Sequence, residues 1–495
     1  MYYLGVDMGT SFTKGTLVDE EGRVALRVRR ESSVSNPQEG FFEVDAEKVW
    51  WKNFLWVCER VLSEFPASSI RALCVSSVCG SFVPVDEGFR PVHNAVLYGI
   101  DRRSESLVGV LNARYGEEFL QKRLGNAFST HSVLPKILWL KMNRPEVYSR
   151  AVHFLSSFNF ISARLTGVPA WDIPTAYGAL MLDGETEAVP QWFLEDQGLD
   201  AKKIPPVISP LQTLGPVTRK AAEETGLSPG TEVVLGACDI NAEAMAVGAI
   251  RPGSAVSVFG STVSLLLNTS EPHSLKGFMT GRSLLPGVWR IGAATASGGR
   301  TISWGLSLRQ DGQGRQNGSS LLAADNVPTG RAPTGIFFVP YLDGARTPFN
   351  EPTARGAFFG LTSAHTPAHM AAAVEESLGY ELAHIISLME KSLTEESRVT
   401  KSAFPSRLEV SGGLSRVGSL MQSVADITGR SLRLHPEVDA SFGDALIAMT
   451  AHVPWEDLPS PDRALPVIQP SEFAASYGEF SRRFAALCEN VARLG

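Results

Sequence analysis

The sequence predicts an α/β protein made of two similar domains, and three observations carry that expectation. An amphipathic helical pattern near residues 47–62 lies between two buried strand-like runs, which is the βαβ signature. A strand, a glycine-and-hydroxyl tip and a second strand occupy Tyr2 to Asp19, and the same pattern returns from Ser254 to Asn268. Finally, 495 residues exceed what one hydrophobic core usually supports. The boundary is expected near Ile250, where Arg251-Pro252-Gly253 punctuates the chain, giving domains 1–250 and 251–495.

In the first hairpin, the apolar run Tyr2–Val6 ends in Asp7-Met8-Gly9-Thr10-Ser11, and the return strand closes at the turn-like Asp19-Glu20-Glu21-Gly22. Gly9 allows close backbone approach to a ligand, while Thr10, Ser11 and local N–H groups can donate to phosphate oxygens. Asp7 at the strand end is placed to hold Mg²⁺ directly or through water, with Lys14 adding positive charge. Taken alone, the string fits an ordinary polar turn equally well, and only its repeat at Gly260-Ser261-Thr262 favours two phosphate-facing turns serving one cleft.

Residues 23–47 continue as strand and reach Asp45-Ala46-Glu47, a helix start before Trp50, Trp51, Phe54, Val57 and Val61 at helical spacing. Ile70–Ser77 is a buried strand, and Ser76-Ser77-Val78-Cys79-Gly80-Ser81 follows its carboxyl end, where open α/β sheets bind ligands. Ala95–Ile100 is a further apolar run, tipped by Asp101 and Arg102; a surface ion pair is the plain alternative to a ligand contact there. Residues 105–200 are helix-rich, clearest over Pro135–Lys141. Thr231–Asp239 reads as a buried strand ending in an isolated acid that opens the helix Ala242–Val247. Asp239 either caps that helix or faces a cleft, where its carboxylate can take a proton from a substrate hydroxyl.

In the second half, 309–319 form a polar glycine-rich loop, Phe337–Val339 a strand, and a long helix starts near Thr366-Pro367. His365 and His369 have the i, i+4 spacing of a zinc helix, but Thr366 and Pro367 explain the local chemistry as a helix start. Arg407–Ser411 is a strand opening into Gly412-Gly413, where a nucleotide base or ribose can lie against bare backbone; a tight strand-to-helix turn is the alternative. Ala440–Ala448 is a helix with small residues at close contacts.

Composition excludes several classes. With 44% hydrophobic and 20% charged residues and a net charge of -7, the chain has neither the basic footprint of nucleic-acid binding nor a segment of roughly 18 uninterrupted apolar residues. Neither a signal peptide nor a membrane anchor is apparent. Five cysteines without a Cys-x-x-Cys fit reduced thiols in the cytoplasm.

With these pieces in order, the chain resembles the FGGY family of carbohydrate kinases along nearly its whole length. Asp7-Met8-Gly9-Thr10-Ser11 is similar to the family's first phosphate loop and Gly260-Ser261-Thr262 to its second. Tyr341–Pro348 with Ala354–Thr362 resembles its most characteristic C-terminal stretch, and Ser411-Gly412-Gly413 with Gln422 and Asp426 its adenine side. The resemblance implies two actin-like (ribonuclease H-like) domains flanking a central ATP and sugar cleft, with ATP and Mg²⁺ as cofactors and a homodimer left open. It implies Asp239 as the catalytic base and Asp7 at the metal. Thr10, Ser11, Lys14, Gly260, Ser261, Thr262, Gly412 and Gly413 would hold ATP, and Cys79, Gly80, Asp101, Arg102 and Asp239 the sugar. The nearest likeness is to xylulokinase-like members, so a ketopentose such as xylulose leads. Cys79 stands where those members carry histidine, Tyr98 replaces a tryptophan, and Met142 replaces a polar residue after the Lys136 to Trp139 signature. Other ketoses, polyols and a non-sugar actin-like ATPase are the alternatives.

Overall fold

Two sheets of matching topology organise the chain. The computed structural model describes residues 1–308, 330–351, 353–396, 404–459 and 465–493. These fall into two compact units: Met1–Ile250 with Thr280–Trp289 and Asp439–Pro461, and Arg251–Met279 with Arg290–Val438 and Asp462–Gly495.

In the first unit, six strands run in the order Thr213–Pro216, Glu232–Val234, Ile70–Ser77, Tyr2–Met8, Phe12–Asp19, Val24–Glu31. Tyr2–Met8 pairs antiparallel with Phe12–Asp19, Met8 opposite Thr13, which leaves Gly9, Thr10 and Ser11 at the tip. On its other side it pairs parallel with Ile70–Ser77, Asp7 beside Ser76. The strand is buried from Tyr3 onward, as expected where both sheet faces are covered. Leu4, Val6 and Met8 join a core with Trp50, Trp51, Phe54 and Val57. That helical region starts with a π-helical turn over Ala46–Trp51, capped by Asp45, and continues as the α-helix Lys52–Leu62. Gly5 and Thr16 face the opposite way, toward the helix Ala440–Met449. A Cβ on Gly5 would lie 2.0 Å from the Ser441 carbonyl oxygen, and the Thr16 and Ser441 hydroxyls meet at 2.7 Å. A separate five-stranded sheet and a second core around Phe128, Trp171 and Phe193 complete the unit.

In the second unit the hairpin Ala255–Phe259 and Val263–Thr269 is again antiparallel, with Gly260-Ser261-Thr262 at its tip. Arg407–Ser411 pairs parallel beside it, followed by Ser431–Leu434, parallel, and Val467–Ile468, antiparallel. The order of directions repeats that of the first sheet. Helices Pro367–Glu396 and Gly418–Thr428 cover this sheet through Leu378, Ile385, Leu420 and Val424.

One expected strand is shorter than its hydrophobic pattern suggests. Only Glu232–Val234 joins the ladder. Gly236 bends the chain at φ +78°, with space so tight that a Cβ would lie 2.6 Å from Cys74 Sγ. Asp239 is therefore the first helical residue of Asp239–Ala246, with Cys238 at the N-cap, rather than a cap at a strand end. The expected loop at 309–319 lies outside the described residues.

Candidate active site

The first hairpin places one charged cluster beside the start of the helix Ala440–Met449. Asp7 and Lys14 are ladder partners, and the Lys14 ammonium stands 3.7 Å from Asp7 and 3.2 Å from Asp439. Asp439 also caps the helix, accepting from the Ser441 N–H at 3.1 Å and its hydroxyl at 2.6 Å. Burial lifts the Asp7 carboxyl to about 7 against the pull of Lys14. Burial would lower Lys14, but Asp7, Asp439 and Glu243 outweigh it and raise its pKa. Behind Asp7, Ser76 Oγ lies 2.6 Å from the fully buried Asp444, whose carboxyl burial holds well above the ordinary range. Asp439, Asp444 and Glu243 belong to this charged cluster, and nothing in the linear sequence marks them for it. They lie far from Asp7 in the chain, and only the packing of two helices brings them close.

Asp239 joins this cluster. Its charge and that of Asp7 act on each other, and burial pushes its carboxyl up to about 7. The carboxylate accepts from the Ile240 N–H at 2.8 Å. The helix body sits so close to Ala440–Met449 that a Cβ on Gly443 would lie 1.8 Å from the Ala242 carbonyl oxygen. A carboxyl that is neutral or charged near pH 7 according to small changes nearby suits proton transfer. Among the described residues no cluster of three or more His, Cys, Asp or Glu encloses a metal ion. Asp7 as a single carboxylate beside a polar turn still suits Mg²⁺, which commonly takes one or two carboxylates and fills its shell with phosphate and water.

The loop after Ile70–Ser77 places Cys79 and Gly80 beside other polar groups. Cys79 Sγ lies 3.8 Å from the Thr175 carbonyl oxygen, and Gly80, at φ +80°, packs on the backbone of His131. The His131 ring tilts against Tyr98, with centroids 5.9 Å apart, and leaves no room for a side chain at Gly99. Lys136 is wholly buried and donates to the carbonyls of Leu97 and Tyr98 at 2.5 and 2.8 Å; burial lowers its pKa to about 7.

Asp101 and Arg102 separate. Asp101 is fully buried and held by the Arg103 guanidinium at 2.9 Å and the Phe42 N–H at 2.7 Å, with Arg103 also on Glu43. Arg102 is exposed and pairs with Glu105. The two arginines are adjacent, so composition alone does not say which turns inward; the aromatic faces of Phe41 and Trp139 over Arg103 decide it.

In the second unit, Gly260 closes its turn through a 3.0 Å bond to the Thr262 carbonyl and accepts from the Gly299 N–H at 2.9 Å. A Cβ on Gly298 would lie 2.4 Å from the Ser261 carbonyl oxygen, so the Gly298-Gly299 strap lies directly against this tip. Gly412 takes φ +90° against the Phe259 backbone, whereas the space around Gly413 is open. His365 and His369 accept the N–H groups of Thr362 and Thr366 on their Nδ1 atoms, a helix-start arrangement. Among the described residues no helix is long and apolar enough to cross a membrane.

The chain matches known proteins along most of its length. Residues 2–246 match the N-terminal domain, and 255–452 the C-terminal domain, of the FGGY family of carbohydrate kinases. A xylulose kinase of Lactococcus lactis is 28% identical over 90% of this chain and 87% of its own length. A glycerol kinase of Nocardia farcinica is 27% identical over 86% of this chain and 85% of its own. The crystal structure of a xylulose kinase from Rhodospirillum rubrum superposes with a TM-score of 0.87 at 24% identity, covering 100% of this chain and 99% of that one.

Proposed function

Because the chain belongs to the FGGY family of carbohydrate kinases, and so is an ATP-dependent sugar kinase, we propose that its acceptor is a ketopentose such as xylulose and its general base Asp239. The observation that carries this reading is the position of Asp239, a half-buried residue whose carboxyl is pushed to about 7 and stands in the same cluster as Asp7 and Lys14. The acceptor hydroxyl oxygen attacks the γ-phosphorus as its proton passes to Asp239, and the bond to the β-phosphate oxygen breaks to release ADP. Phosphoryl transfer asks little covalent chemistry of the protein, so alignment and charge neutralisation carry most of the rate.

In this reading Thr10, Ser11 and Lys14 meet phosphate from the first unit, and Gly260, Ser261 and Thr262 form the second unit's phosphate-facing turn. The open backbone at Gly412-Gly413 takes the nucleoside. Asp7 would hold Mg²⁺, which when bound neutralises phosphate charge. Cys79, Gly80 and Asp101 belong to the sugar side. Asp101 acts there through a carboxylate already fixed by Arg103, and Arg102 from an exposed position. The site of action is the cytoplasm, where ATP is found. Xylulose kinases among the relatives favour the ketopentose. The Nocardia glycerol kinase, together with Cys79 and Tyr98 at sugar-side positions, favours a polyol as the second reading.

The test is ADP release from Mg-ATP with a panel of ketopentoses, other ketoses, aldoses and polyols, with acetate and no-acceptor controls. Turnover with a ketopentose well above every other acceptor supports the proposal. A preference for glycerol or another polyol replaces it with the second reading, and uniform background across the panel removes both.

A further inference from the structure

The helix that begins at Asp239 has an N-terminus held from outside its own segment. Cys238 is the N-cap and is fully buried, so its backbone N–H needs an acceptor. That acceptor is the Thr175 hydroxyl at 3.1 Å, 63 residues earlier in the chain. Thr175 is itself fully buried in the short helix Ile173–Gly178, where its own N–H reaches the capping carboxylate of Asp172 at 2.8 Å. Its carbonyl oxygen lies 3.8 Å from Cys79 Sγ. One side chain and its backbone therefore touch both the loop at 78–81 and the residue before Asp239.

This matters because the Asp239 carboxylate is bonded to the N–H of its own neighbour, Ile240. Its aim follows the backbone at 238–240 and is set by whatever fixes that backbone. Packing of Ala242 on Gly443 holds the body of the helix; the Thr175 hydroxyl holds its first turn.

We propose that Thr175 is a positioning residue for the base, its hydroxyl setting the backbone at Cys238 so that Asp239 meets the acceptor hydroxyl. The inference rests on the reading of Asp239 as general base. Thr175→Val keeps the shape of the side chain and leaves the Cys238 N–H without its acceptor, while Thr175→Ser keeps the hydroxyl.

The experiment compares Thr175→Val, Thr175→Ser, Asp239→Asn and the Val/Asn double variant on the best acceptor of the panel. Each is measured for kcat, for KM of ATP, for the ratio of sugar-dependent turnover to no-acceptor ATP hydrolysis, and for melting temperature. A displaced reacting group costs up to about 100-fold. Thr175→Val should accordingly lose about 10- to 100-fold in kcat and in that ratio, with KM for ATP unchanged. Thr175→Ser should recover most of the loss, and the double variant should be no slower than Asp239→Asn. Should the valine variant not fold, Thr175→Ala removes the same acceptor without adding apolar volume. Wild-type kcat in Thr175→Val beside a collapsed Asp239→Asn overturns the positioning role alone. Equal loss of sugar-dependent and no-acceptor turnover, or failure of serine to rescue, overturns it as a merely structural effect. An active Asp239→Asn instead removes the reading on which it stands.

Discussion

Asp239 and Glu381 are both carboxyls that burial lifts far above their ordinary range, to about 7 and about 8. Asp239 has proton-transfer work to do in the proposed reaction; Glu381 does not. Replacing Asp239 with alanine should keep ATP binding and lower sugar-dependent kcat at least 100-fold, as read by calorimetric titration of ATP beside steady-state rates; a loss within a few-fold would remove Asp239 from the role. Glu381 is 6% exposed, and one of its carboxylate oxygens has no hydrogen-bond partner. Because its folded pKa is raised, the folded state binds the extra proton between about pH 4.5 and about 8, and stability falls as pH rises through that window. Glu381→Gln should abolish this slope, adding about 1–3 kcal/mol at pH 8 and nothing near pH 5. Urea unfolding at the two pH values checks it, and an equal change at both would contradict it. At this scale Asp7 and Asp239 were legible in the sequence because an acid that closes an apolar run is conspicuous. Asp439, Asp444 and Arg103 were not, since what distinguishes them is contact with segments distant in the chain: Asp439 with Lys14, Asp444 with Ser76 and Arg103 with Glu43.

Among the elements, the two hairpins and the long helix at Pro367 were readable from hydrophobic period and turn chemistry, because those signals are local. The strand before Asp239 is shorter than its apolar run suggests, since its apolar residues continue past the bend at Gly236 and remain buried without a ladder partner. The small residues of Ala440–Met449 were recognisable as close contacts, but not what they contact. Gly443 lies on the Ala242 backbone and Gly5 on the backbone of Ser441 and Ala445. Backbone cannot move aside as a flexible side chain can, so Gly443→Ala should push the two helices apart. It is expected to cost about 3 kcal/mol or more, seen as a lower urea midpoint, and to lower kcat because Asp239 heads one of those helices. A midpoint within error of wild type would mean that the helices separate freely.

For the whole molecule, the change of unit at Ile250 is visible in the sequence as an Arg-Pro-Gly punctuation, yet the first unit also takes in Asp439–Pro461. Nothing in the linear string announces that return, because a helix with small residues on its surface could dock on many sheets. The first sheet buries Gly5 and Thr16 beneath this helix. A polypeptide of residues 1–250 should therefore expose that face and be aggregated or loosely packed. Circular dichroism and hydrogen exchange check this against the full chain, and a monomeric fragment with slowly exchanging amides in Tyr2–Met8 would contradict it.

The same returning helix sets a timetable for synthesis. A nascent chain that has just finished residue 250 still lacks the segment that covers one face of its first sheet. At typical rates of synthesis the missing helix follows roughly 200 residues, or about 10–40 s, later. During that interval the face of the first sheet that receives Ala440–Met449, with Gly5 and Thr16 on it, stays uncovered.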